Sequence, residues 1–449
     1  MAILANLRQC PGEIPTCIWS TVIKNEEAFP EPLSNCRMRY REGMSPAGPP
    51  AQPPVRRRPR DRKAQIVKAS AEAFSELGYH AVSMEEIASR VGISAAALYR
   101  HSPNKYGLFR DAVFGLGQQL VDSTDIADPE RDPALLLAGL VDALVETAIA
   151  NRNSGGLYRW EGRYLNEDDQ AVLGGQIELV NRRLHEPLIR LRPELTSRER
   201  WTLSSAALSV IGSVTDHRNS LPVGEVRVLL AGLAAAVLAA TLPAPFESPE
   251  SNPLAPSGSG AGGKYEMLLH ESLLLFHKKG FRETSMEDIA AAVGIQASGI
   301  YRYFPGKADL LVASYRRSAD RVSADVSSVL AAESDPEQAL ARLIDLYVAR
   351  SFREPEIAYV YYAERGNVPE ADGAPIRNIQ RATVDEWARL LAAARPEFSH
   401  AQAKFAVHAA FGLVVDLGRL VQYQDTEHSR ACVKLLMEMT LLGREPQLV

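Results

Sequence analysis

Cysteine is nearly absent: the chain has four in 449 residues, three of them within the first 36. A disulfide-stapled scaffold is therefore excluded. Cys10, Cys17 and Cys36 also lack the paired spacing of a zinc site. Nine histidines are scattered without metal-ligand spacing, and there is neither an HExxH helix nor a GxSxG elbow. No enzyme, metal or cofactor is expected. Long apolar runs are missing too. The longest, residues 228–242, has 15 residues, too few to span a bilayer comfortably, and reads as a buried helix. Arg8, Pro11 and Glu13 break the only early apolar stretch, which argues against a secretory signal. Nor is there a general excess of positive charge. Fifty basic residues against 55 acidic ones leave a net of −5, so any contact with nucleic acid must be local. A soluble intracellular protein is expected.

What is present is length, helical periodicity and a repeat. The chain is about three times a typical domain of roughly 150 residues, so two or more domains are expected. Residues 1–55 are rich in proline and lack helical period, and disorder is expected there. Met44 lies inside this segment, leaving two readings open: a genuine tail, or a start assigned too early. Residues 243–263 have the Pro/Ser/Gly composition of a linker. Gly258 to Lys264 fits GxGxxG and most of a phosphate-binding GxxxxGK loop. However, Tyr265 stands where Ser or Thr would hold magnesium and no strand precedes it, so the linker reading prevails. Elsewhere apolar residues recur at helical spacing, as at Ile66, Ala69, Ala73, Phe74 and Leu77. The fold class is all-α.

Residues 73–113 and 275–315 align without a gap at an offset of 202 and are identical at 16 of 41 positions. Fainter echoes follow: Glu-Gly-Arg ends at Arg163 and Ala-Glu-Arg at Arg365, and Arg-Pro-Glu recurs from Arg192 and Arg395. A whole protomer is duplicated. The expected parts are a first DNA-binding domain at 56–117, a first helical regulatory domain at 118–242, the linker, a second DNA-binding domain at 264–318 and a second regulatory domain at 319–449.

Each copy opens with an amphipathic helix ending at a glycine, Gly78 or Gly280, where a left-handed cap is expected. Ser83-x-x-Glu86 and Ser285-x-x-Asp288 then form a capping-box pattern for a short second helix. Gly92 or Gly294 allows the sharp turn before a third helix at Ser94 or Gln296. This is a helix-turn-helix pattern. Ile289-Ala290, Gly294-Ile295, Tyr301-Arg302-Tyr303-Phe304 and Lys307 resemble the tetracycline-repressor (TetR) family of bacterial transcriptional regulators. The first copy departs at Ala97, against Gly299, and at Ser102, against Phe304. Loss of that aromatic is expected to loosen the third helix.

Charge agrees with the pattern. Residues 55–115 hold 11 basic and 6 acidic residues, and 264–321 hold 9 and 7, leaving −12 elsewhere. Arg56, Arg57, Arg58, Arg60, Arg62 and Lys63 form a basic arm ahead of the first helix. It reads as a minor-groove arm or as a solvated tail.

The resemblance implies double-stranded operator DNA as a partner, with Ser94, Ala95, Ala96, Gln296, Ala297 and Ser298 facing base edges. Gln296 suits bidentate pairing with adenine. Ser83, Tyr99, His101, Lys105, Ser285, Tyr301, Tyr303 and Lys307 would hold phosphates, and Arg100 and Arg302 are further DNA-binding residues. For Tyr99 and Tyr301, packing is the alternative. The resemblance further implies a small, apolar effector, with Trp160, Arg163, Tyr362 and Arg365 as ligand-binding residues; the rival reading makes these aromatic clusters plain core. Family members dimerise, placing recognition helices about one DNA turn, roughly 34–36 Å, apart. Here one chain is expected to form an intramolecular pseudo-dimer, with a homodimer as the rival. The expected function is a ligand-released repressor in the bacterial cytoplasm, at the nucleoid when bound. The alternative is a ligand-binding or scaffold protein with degenerate helix-turn-helix units.

Overall fold

The computed structural model describes residues 59–126, 131–244, 263–424 and 426–443. The proline-rich segment with Met44, Arg56, Arg57 and Arg58, and nearly all of the linker, lie outside them. The described residues contain helices and turns but no strand.

The first half runs through α1 (Pro59–Leu77), α2 (Met84–Val91), α3 (Ala95–Tyr99), α4 (Lys105–Ser123) and α5 (Pro133–Ala150). A short turn of π and 3-10 geometry at 157–164 leads to α6 (Glu167–Leu191), α7 (Ser197–Gly212) and α8 (Val223–Ala239). The second half repeats the order: α9 (Lys264–Lys279), α10 (Met286–Ala292), α11 (Ala297–Ile300), α12 (Lys307–Ala332) and α13 (Pro336–Arg353). It adds α14 (Pro355–Glu364) before α15 (Glu370–Ala394), α16 (His400–Leu420) and α17 (Glu427–Leu442). α4 and α12 each run unbroken from the helix-turn-helix into the regulatory bundle, past residues 117 and 318.

Caps account for many of these starts. Asp132 and Asp335 accept backbone N–H groups ahead of prolines at the first helical position, where a missing N–H costs nothing. Thr196/Glu199 and Ser399/Gln402 close reciprocal capping boxes at α7 and α16. Both pairs of starts are 203 residues apart, so the duplication extends through the regulatory domains, where sequence identity is faint.

The halves pack through these last helices. α7 lies against α16 and α8 against α17. One buried apolar cluster runs from Ile66 in the first half to Leu441 in the second, while the second helix-turn-helix has its own core around Phe276, Ile289 and Ile300. Val226, Leu230 and Val237 bury one side of α8 as expected of the 228–242 run, but Val228 is 75% exposed. α5 is long and apolar enough to cross a membrane by composition; here it packs among α4, α6 and α8 as a bundle helix.

Charged residues cross the interface between the halves. Arg159 donates to Asp216 of its own half at 2.8 Å and to Asp416 of the other at 2.6 Å. Trp160 Nε1 donates to Asp216 and Ser209 Oγ to Asp416. Arg419 lies 3.7 Å from Asp416 and beside the Trp160 ring. Burial disfavours the Arg159 charge, but the two aspartates outweigh it and hold its pKa well above the ordinary value.

Buried histidines make the fold acid-sensitive. His217 of the first half stacks on His408 of the second with ring centroids 4.3 Å apart. Burial lowers the pKa of His185, His277 and His408 to about 4, and that of His217 well below its ordinary value. The neutral form belongs to the folded state, so below about pH 6.5 the unfolded chain binds more protons. Stability is fully present above pH 7 and is lost as pH falls from about 6.5 toward 4. Urea midpoints at pH 7.5, 6 and 5 should fall in that order; a flat series sinks the prediction.

Candidate nucleic-acid interface

Both copies build the same short-helix geometry. Ser83 Oγ accepts from Glu86 N at 3.1 Å and Ser285 Oγ from Asp288 N at 3.0 Å, fixing the starts of α2 and α10. Only the second copy closes the expected box, with Asp288 accepting from Ser285 N at 3.0 Å. In the first copy Glu86 turns instead to Arg90, which also pairs with Glu76. Gly92 and Gly294 have φ of 69° and 70°, a left-handed turn that a side chain would strain. Gly280 differs from expectation. Its φ of 92° with ψ of 157° is extended rather than left-handed helical, which again selects glycine.

α3 and α11 are short, and each buries one aliphatic anchor, Leu98 or Ile300. The opposite face is open. Ser94, Ala96, Gln296 and Ser298 are exposed, and Ala95 and Ala297 half-buried. Ser94 caps α3 through Ala97 N, whereas the Gln296 carboxamide makes no capping bond. Tyr99 and Tyr301 are 50% and 51% exposed, which disfavours the packing alternative. Arg100, His101, Arg302 and Tyr303 continue this exposed strip, with Ser83 exposed and Ser285 half-buried beside it.

Two lysines serve differently from the sequence reading. Lys307 Nζ donates to the carbonyls of Phe281, Arg282 and Thr284 at 2.6, 2.9 and 2.8 Å. All three of its donors are thereby used within the protein. Lys105 Nζ donates to His80 O at 3.2 Å and sits over the Tyr79 ring. Burial lowers both ammonium pKa values. These lysines brace the loop between the first two helices rather than reach outward. Part of the basic arm is likewise engaged: Arg62 donates to Val91 O at the end of α2. Lys63 is exposed, and the Arg60 side chain lies outside the described ones.

Ser102 does not leave the first copy loose. It is buried, its Oγ donates to Asn104 O at 3.1 Å, and it sits where a side chain on Gly107 would collide. Asn104 caps α4 by accepting from Gly107 N at 2.8 Å. In the second copy Phe304 is buried and stacks on Tyr265 instead. Small residues and a side-chain cap replace an aromatic plug.

The same loop is tied to the regulatory part in both halves. Tyr79 N, just after Gly78, donates to Glu161 at 3.0 Å, and Phe281 N, just after Gly280, donates to Glu364 at 3.1 Å. Glu364 is fully buried and also takes Arg163 of the first half at 2.7 Å. Arg163 and Trp160 thus make contacts between the halves, and Trp160 also borders a small cleft of about 50 Å³ beside Tyr79 and Tyr164; the side chains of Tyr362 and Arg365 lie outside the described ones. A cavity of about 190 Å³ opens elsewhere, between α12, α13, α14, α15 and α16, with Tyr315, Tyr347, Tyr361 and Phe411 on its walls. Its aromatics come from separate helices, so no local motif marked it.

The family model for the N-terminal domain of bacterial regulatory proteins of the tetR family matches twice, at 66–112 and 268–313. These are the two helix-turn-helix units. Both units are thus TetR-family N-terminal domains. Among curated TetR-like relatives it is 40% identical over 78 residues to the HTH-type transcriptional activator FasR of Mycolicibacterium smegmatis, covering 15% of this chain and 36% of FasR. It is 29% identical over 149 residues to the nucleoid occlusion factor SlmA of Alteromonas mediterranea, covering 32% of this chain and 73% of SlmA. The chain thus spans about a third of the length of the first of these. A crystal structure of a TetR-family transcriptional regulator from Bordetella parapertussis aligns at 18% identity with a TM-score of 0.36, covering 41% of this chain and 98% of that one.

Proposed function

We propose that this chain is a sequence-specific DNA-binding transcriptional regulator that engages its operator with two helix-turn-helix units and is released by a small apolar molecule. The observation that carries the reading is the repeated exposed strip. Tyr99-Arg100 and Tyr301-Arg302 stand out equally at the end of each third helix, with no packing role to account for a large aromatic there. Ser94, Ala95, Ala96, Gln296, Ala297 and Ser298 are the proposed base-edge residues, and Gln296 the best placed for direct readout. Ser83, Tyr99, Arg100, His101, Ser285, Tyr301, Arg302 and Tyr303 are the proposed phosphate contacts. The packing of α7 and α8 on α16 and α17 supports one chain acting as a pseudo-dimer that supplies both units.

The test is an electrophoretic shift with DNA from the gene's own upstream region, repeated across a salt series. Replacing Tyr301 and Arg302 together by alanine should weaken binding at least tenfold. It should also flatten the salt dependence by about one unit, the signature of a lost phosphate contact. The Tyr99/Arg100 pair should do the same. No shift at any salt concentration would leave the scaffold alternative in possession.

A further inference from the structure

The two halves share a fold but not a filling. Aligned by their helix starts, Lys105 with Lys307, Pro133 with Pro336 and Glu167 with Glu370, equivalent core positions differ in kind. Tyr315, Ser318, Tyr347, Gln380 and Thr383 line the 190 Å³ cavity of the second half. Their counterparts in the first half are Val113, Leu116, Leu144, Ile177 and Val180, all at most 5% exposed. The first half closes further where Ala319 of the cavity wall is matched by Gly117. The side chains of Gln176 and Leu173 lie over that glycine, where a Cβ would collide with them. At these positions the first half is filled with aliphatics, where the second keeps a space walled by aromatic and polar groups.

We infer that the second half alone is the receptor, taking one uncharged, ring-bearing apolar molecule with a hydroxyl or carbonyl group per chain. This rests on the ligand-responsive reading above and deepens it. The charged groups at the cavity are already matched: Arg350 with Asp325, Glu354 with Arg321, and Asp216 with Arg159. A charged ligand would have no counter-ion and would carry the full cost of burial. Two polar groups on the wall, the Tyr347 hydroxyl and the neutral His408 ring, have no hydrogen-bond partner among the described residues. They can donate to and accept from one oxygen. Tyr347 and Phe411 stack at 4.5 Å and offer flat walls to a ring. Phe411 and His408 belong to α16, the helix that packs on the first half, so the occupant touches the interface directly.

Fluorescence titration of the full chain with the uncharged probe N-phenyl-1-naphthylamine tests this. One equivalent per chain is expected at saturation. Ser318→Leu, which copies the first half, should weaken binding at least tenfold, and the shape-preserving Tyr347→Phe at least threefold. Leu116→Met in the first half should change nothing. The anionic relative 1-anilinonaphthalene-8-sulfonate should displace the probe at least tenfold less well than unlabelled probe does. Two equivalents, none, or indifference to both second-half variants overturns the assignment, and equal displacement by the sulfonate overturns the uncharged class. These readouts need no DNA. A chain that takes one probe but shifts no DNA refutes the regulator and keeps the receptor.

Discussion

Replacing Arg159 by methionine should destabilise the folded chain by about 3–5 kcal/mol, the usual consequence of removing one partner from a buried ion pair. Arg159 stands between Asp216 and Asp416, with all three side chains at most 6% exposed. Without it both carboxylates stay buried with too little positive charge, since Arg419 reaches Asp416 only at 3.7 Å. Removing the negative charge as well, in Arg159→Met with Asp216→Asn and Asp416→Asn, should restore part of the loss. Urea unfolding followed by far-ultraviolet circular dichroism reads both. A loss under 1 kcal/mol for the single variant would show that the cluster is solvated.

The second large effect is expected at Glu364. This carboxylate accepts from Phe281 N of the second helix-turn-helix, from Arg163 of the first half and from Asn367. Glu364→Ala leaves a buried arginine and a backbone N–H unmatched, with an expected cost of about 3 kcal/mol. The variant also frees the loop that sets α10 and α11, so operator affinity should fall along with stability. Glu364→Gln keeps an acceptor for the N–H and loses only the charge; it should bind DNA nearly normally while remaining destabilised. Glu161→Ala removes the matching contact to Tyr79 and should have the smaller effect on both readouts. Equal behaviour of Ala and Gln at 364 in the DNA assay would detach the loop from the effect.

How much of this was legible in the sequence depends on how local the determinant is. The helix starts were readable at Ser83, Ser94 and Ser285, because a capping side chain and the backbone N–H that donates to it lie three residues apart. The turn at Gly92 and Gly294 was readable for the same reason. Lys307 was misread because its role depends on three carbonyls 23 to 26 residues earlier, which only the folded loop gathers around one ammonium. Arg163 looked like part of an aromatic cluster suited to a ligand, yet its partner Glu364 is 201 residues away. The cavity had a signal that was available and unused. Comparing the copies position by position sets Tyr347 against Leu144 and Gln380 against Ile177, and polar replacements at otherwise aliphatic core sites mark a wall rather than a filling.

The single arginine between two aspartates has a consequence for how such a chain can vary. In a two-fold interface residue i of one subunit meets j of the other and j meets i, so equivalent positions must carry the same residue. Joining the halves in one chain lifts that condition. Arg159 and Arg419 balance Asp216 and Asp416, and the equivalent positions 216 and 419, 203 residues apart, carry opposite charges, as two identical subunits could not. A substitution in this chain is felt once, where in a homodimer it would be felt twice. Each half is thereby free to drift, one toward a filled site and the other toward an open one, while the seam between them is kept by partners that differ.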